Sequence, residues 1–362
     1  MTELTPPTGA APNVPAGQGP DGPGGRGPGG APAGLGRLRR RMPPNLFSIA
    51  FGLAGLTEVW QASVSAIGVS QVVPNVLDLL TAVVWCGLVA LYLAQGPRRI
   101  LADLRDTALA PFPSLALIIG MLLSAALSRY AFTAGRVLVA VFLALTVLLG
   151  GWLTGQWIAA PMDRERMHPG YFLPTVAGGF IGAATAAQVD LHGVAEASFG
   201  IGMVCWALLG GTILTRLFFT GLPPTPLIPT LAIEVAPPAV GGLAYFSLTG
   251  GRTDLFAAAL GGYTILMSVV QLRLVSLYRT LPFGPLMWAF TFSYAAVLTD
   301  AVVWMGLRHT PGIKPLTIII LVLITAFIGA VLAASVKPTV RGKLFPPLPP
   351  AEPAQPVPPV RR

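Results

Sequence analysis

Ten apolar runs, each roughly twenty residues long, follow one another along this chain with short gaps between them. They cover 45–66, 74–95, 111–129, 134–158, 171–189, 194–219, 227–248, 254–279, 285–306 and 313–336. A helix of about 20 residues crosses about 30 Å of hydrocarbon. Hydrocarbon offers no partner to an unpaired backbone amide, so helix is the expected conformation. Runs such as LALIIGMLLSAAL and LTIIILVLITAFIGAVLAA lack the two-residue alternation of a barrel strand. Charge content agrees, since only 10% of the 362 residues are charged and mean hydropathy is +0.71. A soluble protein carries about 25% charged residues. The expected fold is an all-α polytopic membrane protein of ten transmembrane helices.

The ends differ from this core. Residues 1–44 contain 21 Gly or Pro, and 346–362 contain 8 Pro in 17 residues. Neither stretch has enough apolar side chains to offset its ordering entropy, so both are expected to be disordered tails, 1–44 and 337–362, around a transport domain at 45–336. With the N-terminus in the cytoplasm, 15 Lys or Arg fall inside, among them Arg41, Arg98, Arg99, Arg105, Arg164, Arg166, Arg216, Arg279, Lys337, Arg341 and Lys343. Five fall outside, namely Arg129, Arg136, Arg252, Arg308 and Lys314. That bias puts both termini in the cytoplasm. Odd-numbered spans begin 66, 60, 56 and 58 residues apart, a regularity consistent with five repeated helical hairpins.

Several kinds of chemistry lack their residues. Cys86 and Cys205, both inside apolar runs, are too few for a disulfide framework or a cysteine zinc site. His168, His192 and His309 all fall in loops, and no H-E-x-x-H occurs. No G-x-x-x-x-G-K-[ST] nucleotide loop is present, and no Ser–His pair shares a depth. The net charge of +9 is spread through the gaps without the aromatic interleaving of a nucleic-acid site. An enzyme, a cofactor and a nucleic-acid partner are therefore not expected. Transport is the commonest use of what remains.

Ionisable groups inside apolar spans are costly and mark function or pairing. Here they are Glu58, Glu234, Arg273 and Asp300. Glu234 and Arg273 lie at the same depth on consecutive spans, about 10 Å from the cytoplasmic boundary at about 1.5 Å per residue. That predicts an intramembrane ion pair, with a proton site at Glu234 as the alternative. Glu58 and Asp300, near the outer ends of spans one and nine, either snorkel to the interface or line an outer mouth. Pro174 in span five and Pro229, Pro237 and Pro238 in span seven predict kinks, which membrane proteins tolerate where backbone is buried or lines a cavity. Gly178, Gly179 and Gly182 form a small-residue face, read first as close helix packing and otherwise as the wall of a lumen.

Six segments carry a resemblance. They are PNLFSIAFGLAGLTEVW (44–60), HPGYFLPTVAGGF (168–180), FGIGMVCW (199–206), EVAPPAVGGLAY (234–245), GGYTILMSVVQLRL (261–274) and MWAFTFSYA (287–295). In this order they resemble the tellurite-resistance/dicarboxylate transporter family, which includes the bacterial tellurite-resistance channel homologue, plant slow anion channels and fungal malate and sulfite transporters. The resemblance covers about 45–336. It implies five helical hairpins around a pseudo-fivefold pore, with odd spans inside, even spans outside, and a homotrimer with one pore per subunit. It also implies that the second aromatic of the run Trp288, Ala289, Phe290, Thr291, Phe292 blocks the pore, making Phe292 the gate. Ala50 and Ile119 stand where the family often has proline, so only Pro174 and Pro237 keep a mid-helix kink.

The expected function is passage of small inorganic or organic anions through a plugged central pore, in the bacterial plasma membrane. No inner span carries Lys or Arg in its middle, so selectivity is expected from backbone dipoles and pore width. The rival within transport is a proton-coupled carrier of C4-dicarboxylates or sulfite. The rival outside it is a membrane scaffold that recruits partners through its tails.

Overall fold

The computed structural model describes residues 41–159 and 167–340. The expected tails therefore fall largely outside the described residues, as do Arg164, Arg166, Arg341 and Lys343. The described part of each tail is ordered. Met42 is buried, and its backbone N–H and C=O are bridged by the Gln95 side chain at 3.1 and 3.0 Å. Helix also continues past 337 to Val340.

Among the described residues there are eleven α-helices and no strand. They are α1 (Phe47–Ile67), α2 (Val72–Leu93), α3 (Pro97–Arg105), α4 (Ser114–Ser128), α5 (Phe132–Ala159), α6 (Gly178–Gln188), α7 (His192–Thr220), α8 (Ala236–Thr249), α9 (Leu255–Tyr278), α10 (Ala289–Leu307) and α11 (Ile313–Val340). Each of the ten apolar runs is helical close to its expected bounds. The nine-residue polar helix α3 was not expected. It docks through Asp103, which is buried and ion-paired with Arg41.

Among the described residues, seven helical stretches are long and apolar enough to cross a membrane, rather than ten: α2, α5, α7, 225–249, α9, 285–307 and α11. The three that fall short have separate reasons. α1 is diluted by Thr57, Glu58, Gln61, Ser63 and Ser65. α4 has 15 residues. The fifth run is broken into a 3-10 turn (Pro169–Phe172), a π-helical turn (Leu173–Ala177) and the 11-residue α6.

Burial divides the helices into two sets. In 225–249, 94% of the apolar window is buried, and in 285–307, 67%, against 17–28% in α2, α5, α7, α9 and α11. The five exposed helices present Val, Leu and Ile all round, as lipid requires. The buried ones meet protein instead and can carry polar residues and broken backbone. Each buried helix packs on the exposed helix that follows it: α1 on α2, α4 on α5, α6 on α7, α8 on α9 and α10 on α11. The buried helices also touch each other, α1 with α4 and α10, α6 with α4 and α8, and α8 with α10.

Glycines set the closest approaches. A Cβ on Gly52 would lie 2.0 Å from Thr291 Oγ1 and 2.9 Å from Thr291 Cβ, so α1 and α10 meet here only because the side chain is absent. A Cβ on Gly179 would lie 2.6 Å from the Gly202 amide nitrogen on α7. Gly178 and Gly182 face Thr146 and Leu143 of α5. The small face of the fifth run thus serves helix packing and does not form a lumen wall.

Candidate functional site

Two cavities lie between the buried helices. The larger, about 640 Å³, is lined toward the C-terminal ends of those helices by Glu58 and Gln61 of α1, Ala125 of α4, Thr185 of α6, Leu243 of α8 and Thr299 of α10, among others. The smaller, about 40 Å³, lies toward their N-terminal ends, among Phe51, Leu115, Val176, Phe180, Pro237 and Ser293. All five buried runs contribute to each cavity, and α2, α5, α7, α9 and α11 contribute to neither. The smaller cavity has room for about one water molecule. Among its described lining residues, Ser48, Ser293 and Trp288 carry polar side-chain groups, and the Trp288 indole N–H is already donated to Ser335 Oγ at 2.9 Å.

Phe292 and Val240 line both cavities. The Phe292 ring is 8% exposed and stacks on Phe51 of α1, with centroids 3.5 Å apart and planes within 12°. The stack depends on the close α1–α10 crossing at Gly52 and Gly55, where a Gly55 Cβ would stand 3.1 Å from the Phe292 ring. The sequence singled out Phe292 but gave no sign of Phe51. An aromatic pair between helices far apart in the chain shows neither periodicity nor spacing.

The other predicted residues divide. Glu58 lines the larger cavity. Asp300 does not. It is buried, and its Oδ1 approaches Gly242 of α8, whose Cβ would lie 2.9 Å away. Pro174 lies in the π-helical turn, where the fifth run does change its winding. Pro237 lines the smaller cavity from the first turn of α8, so it starts a helix rather than kinking one. The preceding break is the 3-10 stretch Thr225–Val235, which contains Pro229.

The expected Glu234–Arg273 ion pair is not formed. Glu234 is buried, and its Oε1 has no hydrogen-bond partner among the described residues, whereas Arg273 is exposed on α9. Equal depth does not fix direction around a helix. Gln271 turns inward and donates from Nε2 to the Leu231 carbonyl at 3.0 Å. Two residues later the helix has turned about 200°, which faces Arg273 outward. Glu234 lies within electrostatic reach of Tyr263 and Tyr278 and lines neither cavity, so the proton-site reading loses its water-filled path.

His168 lies just before the fifth run and is fully buried. Its Nδ1 accepts from the Gly170 amide at 3.1 Å, and its Nε2 faces the Ala108 carbonyl at 3.3 Å. Both contacts are satisfied when the ring is neutral with its proton on Nε2. Burial pushes its pKa down to about 4. The ring lies nearly parallel to Phe112, which lines the smaller cavity, so a loop histidine anchors the wall of the site.

Residues 41–336 match the family model described as voltage-dependent anion channel (SLAC1). The chain belongs to the voltage-dependent anion channel family. Among curated proteins, the tellurite resistance protein TehA homolog of Haemophilus influenzae is 26% identical over 311 residues, covering 84% of this chain and 93% of that protein. Membership in the voltage-dependent anion channel family makes this a multi-pass membrane channel or transporter. The matched span takes in every helix that lines the two cavities.

Proposed function

We propose that the protein is an anion conduit in which α1, α4, the fifth run with α6, α8 and α10 enclose a pseudo-fivefold pore and Phe292 plugs it. The observation that carries this reading is the position of Phe292 between two cavities walled by the same five runs. The contacts among the buried helices support a closed ring, since they run from α1 through α4, α6, α8 and α10 back to α1.

The preference for anions follows from backbone charge. Ser48 and Leu115 stand second in α1 and α4, Ala236 and Pro237 open α8, and Ala289 opens α10; all of them line the smaller cavity. Four helix N-termini therefore converge there; the amides of Leu115, Ala236 and Ala289 pair with carbonyls of the preceding turns and Pro237 has no N–H, so the positive potential is that of the aligned helix dipoles. Such a site attracts an anion without the desolvation cost of a buried lysine, and it holds the anion weakly enough to release it. The apolar aromatic wall around Phe292 excludes water when shut, the behaviour of a hydrophobic gate. The same reading places the protein in the bacterial plasma membrane with cytoplasmic termini, and as a homotrimer with one conduit per subunit.

In vesicles, Phe292→Ala is expected to raise nitrate and chloride flux by about tenfold or more over the unaltered protein. Unchanged flux with normal insertion removes Phe292 from the barrier. Flux that follows an imposed pH gradient, and not voltage, would favour the proton-coupled carrier.

A further inference from the structure

Two ionisable side chains line the larger cavity, Glu58 and Arg129, and none lines the smaller. Arg129 caps the C-terminus of α4 and, among the described residues, is the sole cation in either wall. Its counter-ion is Asp78 of α2, whose Oδ2 accepts from Arg129 Nη2 at 2.5 Å. Asp78 does not line the cavity. It faces a separate groove between α2, α4 and α5. Arg129 therefore lines the cavity and is also paired with a carboxylate that lines a different groove.

The guanidinium has five N–H donors in a planar fork. Asp78 engages one terminal nitrogen, and the remaining donors have no hydrogen-bond partner among the described residues. About a third of the Arg129 side chain is exposed (34%), compared with 22% for Asp78. Gln61, Ser65 and Gln188 add neutral polar groups to the same wall. Glu58 lies within electrostatic reach of both Arg129 and Asp78. The cluster thus holds two carboxylates against one guanidinium. An anion entering the cavity finds the charge of Arg129 partly offset by Asp78 and must pass Glu58.

We propose that Arg129 is the recognition point of the larger cavity for a small planar oxyanion, and that Asp78 is a built-in competitor that keeps its binding weak. This rests on the conduit reading and deepens it. A fork that donates to two oxygens side by side favours a planar oxyanion over a halide. A tethered competitor keeps residence short, as passage requires.

The test compares Arg129→Gln, Arg129→Lys, Asp78→Asn and the Asp78→Asn/Arg129→Gln double variant, each in the Phe292→Ala background. Nitrate and chloride currents are measured against concentration in planar bilayers. Arg129→Gln is expected to raise the half-saturating nitrate concentration about tenfold, and Asp78→Asn to lower it by a similar factor. The double variant should match Arg129→Gln, and Arg129→Lys should lose the preference for nitrate over chloride. An ion pair that is merely structural is broken equally by Asp78→Asn and by Arg129→Gln. Shifts in the same direction, or no shift, would overturn the proposal. A parallel measurement is protection of the unaltered protein from thermal unfolding by nitrate. If Phe292→Ala carries no current while nitrate protects the unaltered protein and not Arg129→Gln, the conduit reading falls and the Arg129 site stands. If protection is equal in both proteins, the site falls.

Discussion

Substituting Gly52 by alanine tests the helix crossing on which the aromatic stack depends. The added Cβ would lie 2.0 Å from Thr291 Oγ1, 2.9 Å from Thr291 Cβ and 3.0 Å from Trp288 Cε3. The hydroxyl is not free to swing away without loss, because it donates to the Trp288 carbonyl at 2.7 Å. Thr291 is completely buried and Trp288 is 1% exposed, so neither has space to retreat into. Carbon atoms pack at about 3.5–4.0 Å, so α1 and α10 must part by about 1 Å. Overpacking of this kind costs about 1–3 kcal/mol. Parting the helices also loosens the Phe51–Phe292 stack, worth about 0.5–1.5 kcal/mol beyond its buried area. Gly52→Ala should therefore unfold at a lower temperature in detergent and, in vesicles, leak nitrate above the level of the unaltered protein. Melting and flux both unchanged would refute the argument, since the clash would then have been absorbed without moving either ring.

Other outcomes follow from the same geometry. The pKa of His168 is depressed in the folded protein, so its neutral form contributes stability that is fully present above about pH 6.5 and is lost as pH falls toward 4. The difference is about 3 kcal/mol, and melting measured across that window should show a decline that His168→Asn removes. Arg273→Gln should not destabilise the protein by more than about 0.5 kcal/mol, because the side chain is exposed and carries no ion pair with Glu234. A loss of several kcal/mol would restore the pair.

The helices were largely legible because one physical demand fixes them. An exposed span must be apolar for about 20 residues, and α2, α5, α7, α9 and α11 satisfy that almost literally. The buried helices were legible in position but not in form. α4 is short, and the fifth run winds through 3-10, π and α turns, because protein neighbours relax the demand that lipid imposes. The polar helix α3 left no trace in a search for apolar length. Its docking through Asp103 and Arg41 is a tertiary event.

The site was legible residue by residue and not as a constellation. Phe292 came from the resemblance, and Glu58 from the cost of charge within an apolar span. Their partners Phe51 and Arg129 lie in other helices, and only the packing of those helices brings them together. Depth along a span is written in the sequence. Direction around it is not, which is why Arg273 and Asp300 were misplaced.

The most direct measurement is a side-chain series at position 292, with Ala, Val, Leu, Phe and Trp compared for single-channel nitrate conductance in planar bilayers. If this ring separates the two cavities, conductance falls stepwise as the side chain grows, and Phe and Trp are nearly shut. Equal conductance across the series, in proteins that insert and melt alike, would contradict the account, since the barrier would then lie elsewhere.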